Sequence, residues 1–209
     1  MRLVLASNNA KKLSELQAML AGLALQLVPQ AELGIAEAEE PHFSFIENAL
    51  AKARHAAAAA QGPALADDSG LCVDALGGEP GVVSAHYAGL VEAPGLDRES
   101  LRRRQDAANN ALLLDRLAGK IERQAHFVST LVAVRHARDP QPLVAVGRWP
   151  GRILQAPQGE QGFGYDPLMF IPDLGCTVAQ LDAERKNRHS HRARAMAQLL
   201  AQLREVWLP

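Results

Sequence analysis

The sequence predicts an α/β protein whose mixed sheet forms two merged lobes flanked by helices. Short apolar runs alternate with segments of helical spacing in the first third of the chain, strand candidates dominate its middle, and helices end it. The chain has 209 residues, 48% of them hydrophobic, and no low-complexity linker divides it. We therefore expect one domain over residues 1–209, with two lobes and no separable linker.

The N-terminal third predicts alternating strands and helices. Apolar residues 3–6 form a strand that stops at a Ser-Asn-Asn sequence typical of turns and helix N-caps. Leucine and methionine then recur at helical spacing over 11–23. A second strand at 25–28 is ended by a proline, and an alanine-rich helix follows at 45–61.

The same signals predict the other elements. The charged segment 92–120 has leucines at helical spacing and predicts a long helix. The polar segment 136–142 suits a hairpin, and the glycine-rich segment 159–167 is a loop. The remaining strands are expected at 64–66, 71–75, 125–134, 143–149 and 168–171, and the remaining helices at 177–185 and 190–206.

Composition excludes several classes of partner. A net charge of −1, from 22 basic and 23 acidic residues, does not provide the basic surface that nucleic acids or anionic membranes require. Two cysteines, Cys72 and Cys176, are too few for a disulfide framework and lack metal-ligand spacing, so we expect a cytoplasmic protein. The N-terminus does not resemble a signal peptide, and no apolar run reaches the roughly 18 residues of a membrane span. We therefore expect neither a nucleic-acid nor a membrane partner.

The most informative segment runs from Ala64 to Asp74, where an apolar run ends in Asp67, Asp68, Ser69 and a glycine. One interpretation is a solvated turn in which Asp and Ser bind their own backbone and the glycine takes a positive φ. The other places carboxylate ligands for Mg²⁺ at the end of a strand, beside bound phosphates. Adjacent carboxylates disfavour double ionisation, which leaves one of them the better base; the sequence does not say which.

Other segments indicate phosphate binding. The predicted strand-to-helix turn at Ser7–Lys12 points backbone N–H groups beyond the strand, where anions bind readily. Lys12 and Lys52 can each reach a phosphate as a point charge. Glu39 and Glu40, which precede a proline, can share a metal with Asp68. Taken alone, these segments are better explained as a helix cap, an exposed lysine and a solvated acidic loop.

Two segments towards the C-terminus suit a purine base. Glycines flank Phe163, so its ring can stack on a base while Asp166 accepts from a ring N–H. The alternative is a turn with Phe163 in the core. Lys186, His191 and Arg192 are donors, which match the 6-oxo group of hypoxanthine or xanthine better than the amino group of adenine. A solvated basic patch before a helix, with Ser190 as its N-cap, is the alternative there.

Together these segments resemble the inosine triphosphate pyrophosphatase family, also called dITP/XTP pyrophosphatases. The resemblance spans nearly the whole chain in family order. The matching segments are S-x-N-x-x-K at 7–12, E-E at 39–40, F-I-E-N-A at 45–49 with a lysine at 52, A-D-D-S-G-L at 66–71, G-F-G-Y-D-P at 162–167 and K-x-x-x-x-H-R at 186–192. The resemblance implies an elongated mixed sheet with a cleft between two lobes, a homodimer, and Mg²⁺-dependent hydrolysis of a nucleoside triphosphate to monophosphate and pyrophosphate.

The resemblance also implies a role for each matched residue. Asp68 corresponds to the proton acceptor and, with Glu39 or Glu40, to the metal-binding carboxylates. The implied substrate-binding residues are Ser7, Asn8, Asn9, Ala10, Lys11, Lys12, Lys52, Ser69, Phe163, Gly164, Tyr165, Asp166, Lys186, His191 and Arg192.

Two features depart from the family pattern. His86 stands where the family often has arginine, and the segment 92–110, with arginines at 102–104, is longer than usual and receives no role beyond an extended helix or loop. The apolar content of 128–134 and 143–146 predicts a dimer interface there. Two other functions fit part of the pattern: a Maf-like pyrophosphatase acting on modified pyrimidines, and a nucleotide-binding module without catalysis.

Overall fold

A computed structural model describes residues 2–20, 25–92 and 94–207; for Ala10 and Lys11 it describes the backbone alone. The strands are β1 (Arg2–Leu5), β2 (Gln26–Pro29), β3 (Ala64–Val73), β4 (Gln124–Val134), β5 (Leu143–Ile153), β6 (Met169–Ile171) and β7 (Cys176–Thr177). The α-helices are α1 (Ala10–Leu20), α2 (Phe45–Ala60), α3 (Arg98–Arg116), α4 (Ala183–His189) and α5 (His191–Val206). The predicted extension of α1 through residues 21–23 lies outside the described residues.

The strands form a mixed seven-stranded sheet in the order β2-β1-β3-β4-β5-β6-β7. Strand β1 pairs in parallel with β2 and β3, whereas β6 is antiparallel to both β5 and β7. Parallel neighbours need a crossover, and α1 and α2 supply these connections. The predicted α/β class with a mixed sheet flanked by helices is confirmed.

Local sequence explains where several helices begin. Ser44 caps α2 by accepting from the Glu47 N–H, and Asp97 caps α3. Ser190 caps α5, as predicted, by accepting from the Ala193 N–H at 3.1 Å. Each cap satisfies N–H groups that have no partner within the helix.

The chain divides into two compact units. The first contains residues 1–69, 129–148 and 190–209. In it, α1 and α5 pack on one face of the sheet around Leu5, Leu65 and Leu131, while α2 packs its alanines around Ala64, Ala66 and their neighbours. Successive side chains of a strand face opposite sides of the sheet, so neighbouring residues of β3 pack against different helices.

The second unit contains residues 70–128 and 149–189. Its core cluster includes Leu113 of α3, Phe127, Trp149 and Tyr165. The two C-terminal leucines of α3, at 113 and 117, are fully buried. Burial of this apolar end fixes the helix against the unit, while its N-terminal half carries polar side chains.

The structure corrects three sequence predictions of local structure. Strand β3 does not stop at residue 66; it continues through the acidic pair to Val73, so no solvated turn forms there. The predicted helix at 177–185 is instead the end of β7 and the short 3₁₀ helix Val178–Gln180, with α4 beginning only at Ala183. Strand β5 passes the proline at 150 and ends at Ile153.

A further correction concerns the apolar segment 128–134. Every one of these residues is buried within the single chain, because β4 lies between β3 and β5 in the middle of the sheet. Its apolar content is therefore explained by the chain's own core and does not indicate an interface. Among the described residues, no helix combines the length and apolarity that crossing a bilayer requires.

Candidate functional site

The acidic pair on β3 sends its two carboxylates to opposite faces of the first unit. Asp67 lies on the same face of β3 as Leu65 and faces α1 and α5. Asp68 lies on the same face as Ala66 and faces α2. Both carboxylates are buried. One strand thus delivers adjacent acids into two different environments.

Asp67 is held as a permanent carboxylate. It accepts from Ser129 Oγ at 2.6 Å and forms ion pairs with Lys12 at 2.8 Å and Arg192 at 3.3 Å. Burial alone would raise the pKa of Asp67, but the Arg192 and Lys12 cations outweigh it and hold that pKa well below its usual range. These partners also explain why β3 continues here, since a paired carboxylate does not need solvent.

Asp68 has the opposite character. Burial raises its pKa to about 6; the Lys52 ammonium, 2.9 Å from Oδ1, opposes this rise and the Glu40 carboxylate adds to it. Its second oxygen, Oδ2, is buried and has no hydrogen-bond donor among the described residues. Asp68 is thus a carboxylate poised near neutral pH with one oxygen available to a ligand.

Lys52 joins Asp68 to the preceding acidic loop. Its Nζ lies 3.0 Å from Glu40 Oε2, and the two carboxylates raise the pKa of Lys52 although burial opposes this. Burial likewise raises the pKa of Glu40, but Lys52 more than offsets it and the net pKa is lowered. Both predicted glutamates are exposed, but Glu40 shares the Lys52 ammonium with Asp68 and is therefore the carboxylate placed beside it.

The N-terminal turn is built by its own side chains. Ser7 Oγ accepts the Asn9 N–H at 3.2 Å, and Asn9 Oδ1 accepts the Lys12 N–H at 3.3 Å. This geometry starts α1 and leads to Lys12, whose pKa is lowered by burial. Asn8 lies half-buried in the same turn, and the side chains of Ala10 and Lys11 lie outside the described part.

Helix α5 delivers His191 and Arg192 at its first turn, where both are buried. Gly147 allows this approach, because a Cβ there would overlap the His191 carbonyl. Arg192 pairs with Glu15 and Asp67 and donates to Ser69 Oγ at 3.1 Å. Its Nε–H is buried and has no acceptor among the described residues, so one donor of the guanidinium is available to a ligand.

The carboxylates of Asp68 and Glu40 fit a magnesium ion. Among the described residues, no group of three or more His, Cys, Asp and Glu side chains is placed to hold a metal. Mg²⁺ in nucleotide enzymes, however, is bound through one or two carboxylates, with phosphates and waters completing the shell. The open Asp68 Oδ2 and the 44%-exposed Glu40 carboxylate provide that number of ligands.

The second unit contains the glycine loop, residues Gly159–Pro167. Asp166 Oδ2 accepts from the Phe163 N–H at 2.9 Å and from Lys186 Nζ at 2.8 Å. A side chain at position 162 would overlap the Asp166 carboxylate, so only glycine permits this fold of the loop. Asp166 and Lys186 thus form a buried ion pair that fixes the loop.

The same loop presents Phe163 beside a cation. The Lys186 Nζ lies 4.4 Å from the centre of its ring, and the ring is only partly buried. Tyr165 points into the core and donates to the Ser84 carbonyl at 2.9 Å, while Gly164 takes a left-handed φ of 62°. Phe163 is therefore neither in the core nor fully solvated.

Sequence reasoning missed several supporting residues. Ser129 and Glu15 bind Asp67 and Arg192, and Asp106 of α3 binds the glycine loop. A signal existed only for Ser129, which stands with a threonine inside the apolar run of β4. Glu15 resembles any exposed helix residue, and Asp106 lies in the segment that fits no family motif.

Comparison with known proteins agrees over the full chain. The Ham1 family model matches residues 3–202. A dITP/XTP pyrophosphatase of Methylibium petroleiphilum is 70% identical over 208 residues and covers 100% of each chain. One from Leptothrix cholodnii is 66% identical and covers 99% of each.

Solved structures give the same result. A HAM1 protein from Coxiella burnetii superposes with a TM-score of 0.87 at 40% identity, covering 99% of this chain and 100% of that one. The Ham1 protein of Staphylococcus aureus gives 0.84 at 35% identity, covering 98% and 99%. The family predicted from the motifs is confirmed, and this chain belongs to the Ham1 family.

Proposed function

We propose that this chain hydrolyses ITP, dITP and XTP to the monophosphate and pyrophosphate, with Mg²⁺ as cofactor. The observation that carries the proposal is the buried pair Asp67 and Asp68, each ion-paired with a lysine and with pKa values pushed in opposite directions. Opposite shifts in neighbouring acids separate a structural carboxylate from a base. Relatives that are dITP/XTP pyrophosphatases supply the substrate class.

In the proposed mechanism, Asp68 accepts a proton from the water that attacks the α-phosphate. Its pKa of about 6 suits a base that is ionised at neutral pH yet still basic. Lys12, Lys52 and the N-terminal turn of α1 would neutralise charge on the triphosphate and on the departing pyrophosphate. Mg²⁺, held by Asp68 and Glu40, would neutralise phosphate oxygens and acidify bound water.

Asp67 has a different part in this proposal. Because its cation partners keep it ionised, it is a poor proton acceptor and instead holds Lys12 and Arg192 in place. A proton acceptor with its pKa far below neutral would lose driving force for proton transfer. We therefore assign the base to Asp68 rather than Asp67.

We propose that hydrogen-bond donors select purine bases with a 6-oxo group over adenine. Phe163 would stack on the base, Asp166 would accept from a ring N–H, and Lys186, His191 and Arg192 would donate to the 6-oxo group. Adenine would place an amino group against those donors and leave them unpaired, which can cost roughly 10⁴-fold in selectivity. The available Arg192 Nε–H supports this role.

A pyrophosphate-release assay over a panel of nucleoside triphosphates, with and without Mg²⁺, tests the proposal. We expect ITP, dITP and XTP to turn over much faster than ATP, with GTP weak, and only with Mg²⁺. Faster release from UTP or modified pyrimidine nucleotides would favour the Maf-like alternative. Binding of ITP without Mg²⁺-dependent release would favour a nucleotide-binding module.

A further inference from the structure

One face of α3 is directed at the glycine loop. Arg102, Asp106 and Asn110 are spaced four residues apart and therefore line one side of the helix. All three contact the loop. They lie within the segment to which the sequence assigned no role.

Two of these side chains hold the backbone of Gly164. The Asp106 carboxylate accepts the Gly164 N–H at 2.8 Å, and Asn110 Nδ2 donates to the Gly164 carbonyl at 2.9 Å. Gly164 has a left-handed φ of 62° and lies outside the strands and helices, so its backbone groups depend on partners such as these side chains. A bond to an ionised acceptor is also stronger than one between neutral groups. The helix thus fixes the peptide that follows Phe163.

The third side chain reaches the Phe163 ring itself. The Arg102 guanidinium carbon lies 5.2 Å from the ring centre, within the distance at which cations attract an aromatic ring. Lys186 also lies over this ring, and Asp166 binds the Phe163 N–H. The ring is therefore contacted by Arg102 of α3 and by Lys186 of α4, while the loop holds the Phe163 backbone.

Helix α3 is itself firmly anchored, which makes it a suitable support. Asn109 donates to the Ala85 carbonyl at 3.0 Å and accepts the Ala88 N–H at 3.0 Å. Gln105 accepts the Val91 N–H at 2.9 Å. These bonds and the buried leucines at its C-terminal end give the helix a fixed position from which the loop can be held.

We propose that this face of α3 positions the glycine loop for base recognition, with Asp106 and Asn110 as positioning residues and Arg102 as a specificity residue that orients the Phe163 ring. The inference rests on the proposed function, because it takes the loop to be the part that binds the base. It assigns the segment 92–110 a role in substrate choice.

Kinetics of Asp106→Ala test the backbone contact. We expect KM for ITP to rise about tenfold or more, the scale of losing a bond to a charged group, while kcat changes less than about threefold. Inhibition by pyrophosphate, which has no base, should stay within about twofold of wild type. Asp106→Asn retains an acceptor and should recover most of the affinity. A parallel fall in kcat and in pyrophosphate binding would overturn the proposal, because it would indicate general damage.

Arg102 and Arg103 form a matched pair for the ring contact. Arg103 is 74% exposed and its ion pair is with Glu99 of the same helix, so Arg103→Ala should leave the ITP/ATP ratio of kcat/KM unchanged. Arg102→Ala should lower that ratio by about threefold to tenfold, because a base stacked on a displaced ring meets the donors for its 6-oxo group less well; this size corresponds to one partly exposed cation–aromatic contact. Equal ratios in the two variants would overturn the role of Arg102. If Asp106→Ala does not fold, this pair still tests the ring contact, and Asn110→Ala tests the bond to the Gly164 carbonyl by the same kinetics.

Amide exchange separates this inference from the proposed function, since it needs no activity. The Gly164 N–H should exchange slowly in wild type and in Asp106→Asn, and at least about tenfold faster in Asp106→Ala. Unchanged exchange would overturn the positioning role even if ITP is the substrate. Failure of wild type to release pyrophosphate from ITP, with slow exchange intact, would instead overturn the proposed function.

Discussion

Asp68 is the residue on which the proposed chemistry depends most directly. We expect Asp68→Asn to fold and to lower kcat for ITP at least about a hundredfold, because it removes a base and a cation ligand together. Wild type at limiting Mg²⁺ should lose activity as the pH falls through about 6, where Asp68 becomes protonated. The direction follows because a base must be ionised to accept a proton, and the raised pKa places the loss near pH 6 rather than near the usual pKa of a carboxyl group.

Steady-state rates across a pH series, with circular dichroism on each variant, provide the measurement. The residual activity of Asp68→Asn should lack the acid limb, because an amide does not titrate. More Mg²⁺ should move the wild-type limb to lower pH, since the cation competes with the proton. Near-normal turnover by a folded Asp68→Asn protein would contradict the assignment.

Arg192 allows a separate test of base choice. Arg192→Lys keeps a cation for Asp67 but removes the Nε–H that has no acceptor in the described chain. We expect kcat/KM to fall much more for ITP than for ATP, narrowing their ratio; Arg192→Ala should narrow it as well. Arg194→Lys is the control, because Arg194 is exposed and donates to the Arg148 carbonyl. Equal losses for both nucleotides would make Arg192 a structural or phosphate-binding residue.

At the scale of elements, the close approach of α5 to β5 depends on a glycine. Any Cβ at Gly147 would overlap the backbone of α5 at His191 and Ala195. We expect Gly147→Ala to lower Tm by about 3–10 °C, from an overpacking cost of about 1–3 kcal/mol. KM for ITP should also rise, since His191 and Arg192 start the displaced helix.

Gly62→Ala is the matched control for this substitution. A Cβ at Gly62 would meet one backbone oxygen at an ordinary 3.8 Å, and its φ is not positive. Its Tm should therefore stay within about 2 °C of wild type, as for most surface changes. Scanning calorimetry on both variants makes the comparison; equal Tm values would show that the α5 contact relaxes freely.

The sequence predicted those elements whose signals are local. The α2 start and the Ser190 cap follow from residues within one helical turn, and both are found where expected. The course of β3 could not be predicted, because the buried Asp67 carboxylate is stabilised by a hydrogen bond from Ser129 and an ion pair with Arg192, which are 62 and 125 residues away. Local composition indicated a turn, and distant partners made a strand.

The same contrast holds for the site. The sequence motifs contain the residues proposed to contact substrate or metal directly, such as Asp68 and Lys52, because the chemistry restricts which side chains can serve at those positions. The residues that support them, such as Glu15 and Asp106, act through geometry that only the folded chain defines. Their types are common on helix surfaces, so no local pattern distinguishes them.

At the scale of the whole molecule, we expect a homodimer, on the family resemblance and on the apolar segment 143–146, where Val144 and Val146 are only half-buried. Burial of β4 within one chain removes the apolar segment 128–134 as an argument for it. Light scattering at micromolar concentration should give twice the 22.5 kDa chain mass. A mass of one chain would contradict the prediction.

Finally, we expect the chain to unfold as one domain although its contacts cluster into two units. Strands β3, β4 and β5 each contribute residues to both units without a break, so neither unit has a complete set of strands without the other.

Trp149 reports on the core of the second unit and Trp207 packs against a core of the first. The variants Trp149→Phe and Trp207→Phe each leave one tryptophan. Within each variant, the remaining tryptophan's fluorescence and far-ultraviolet circular dichroism should give the same urea midpoint, as two-state unfolding requires. Midpoints that separate within a variant would show that the units unfold independently and that the chain has two domains.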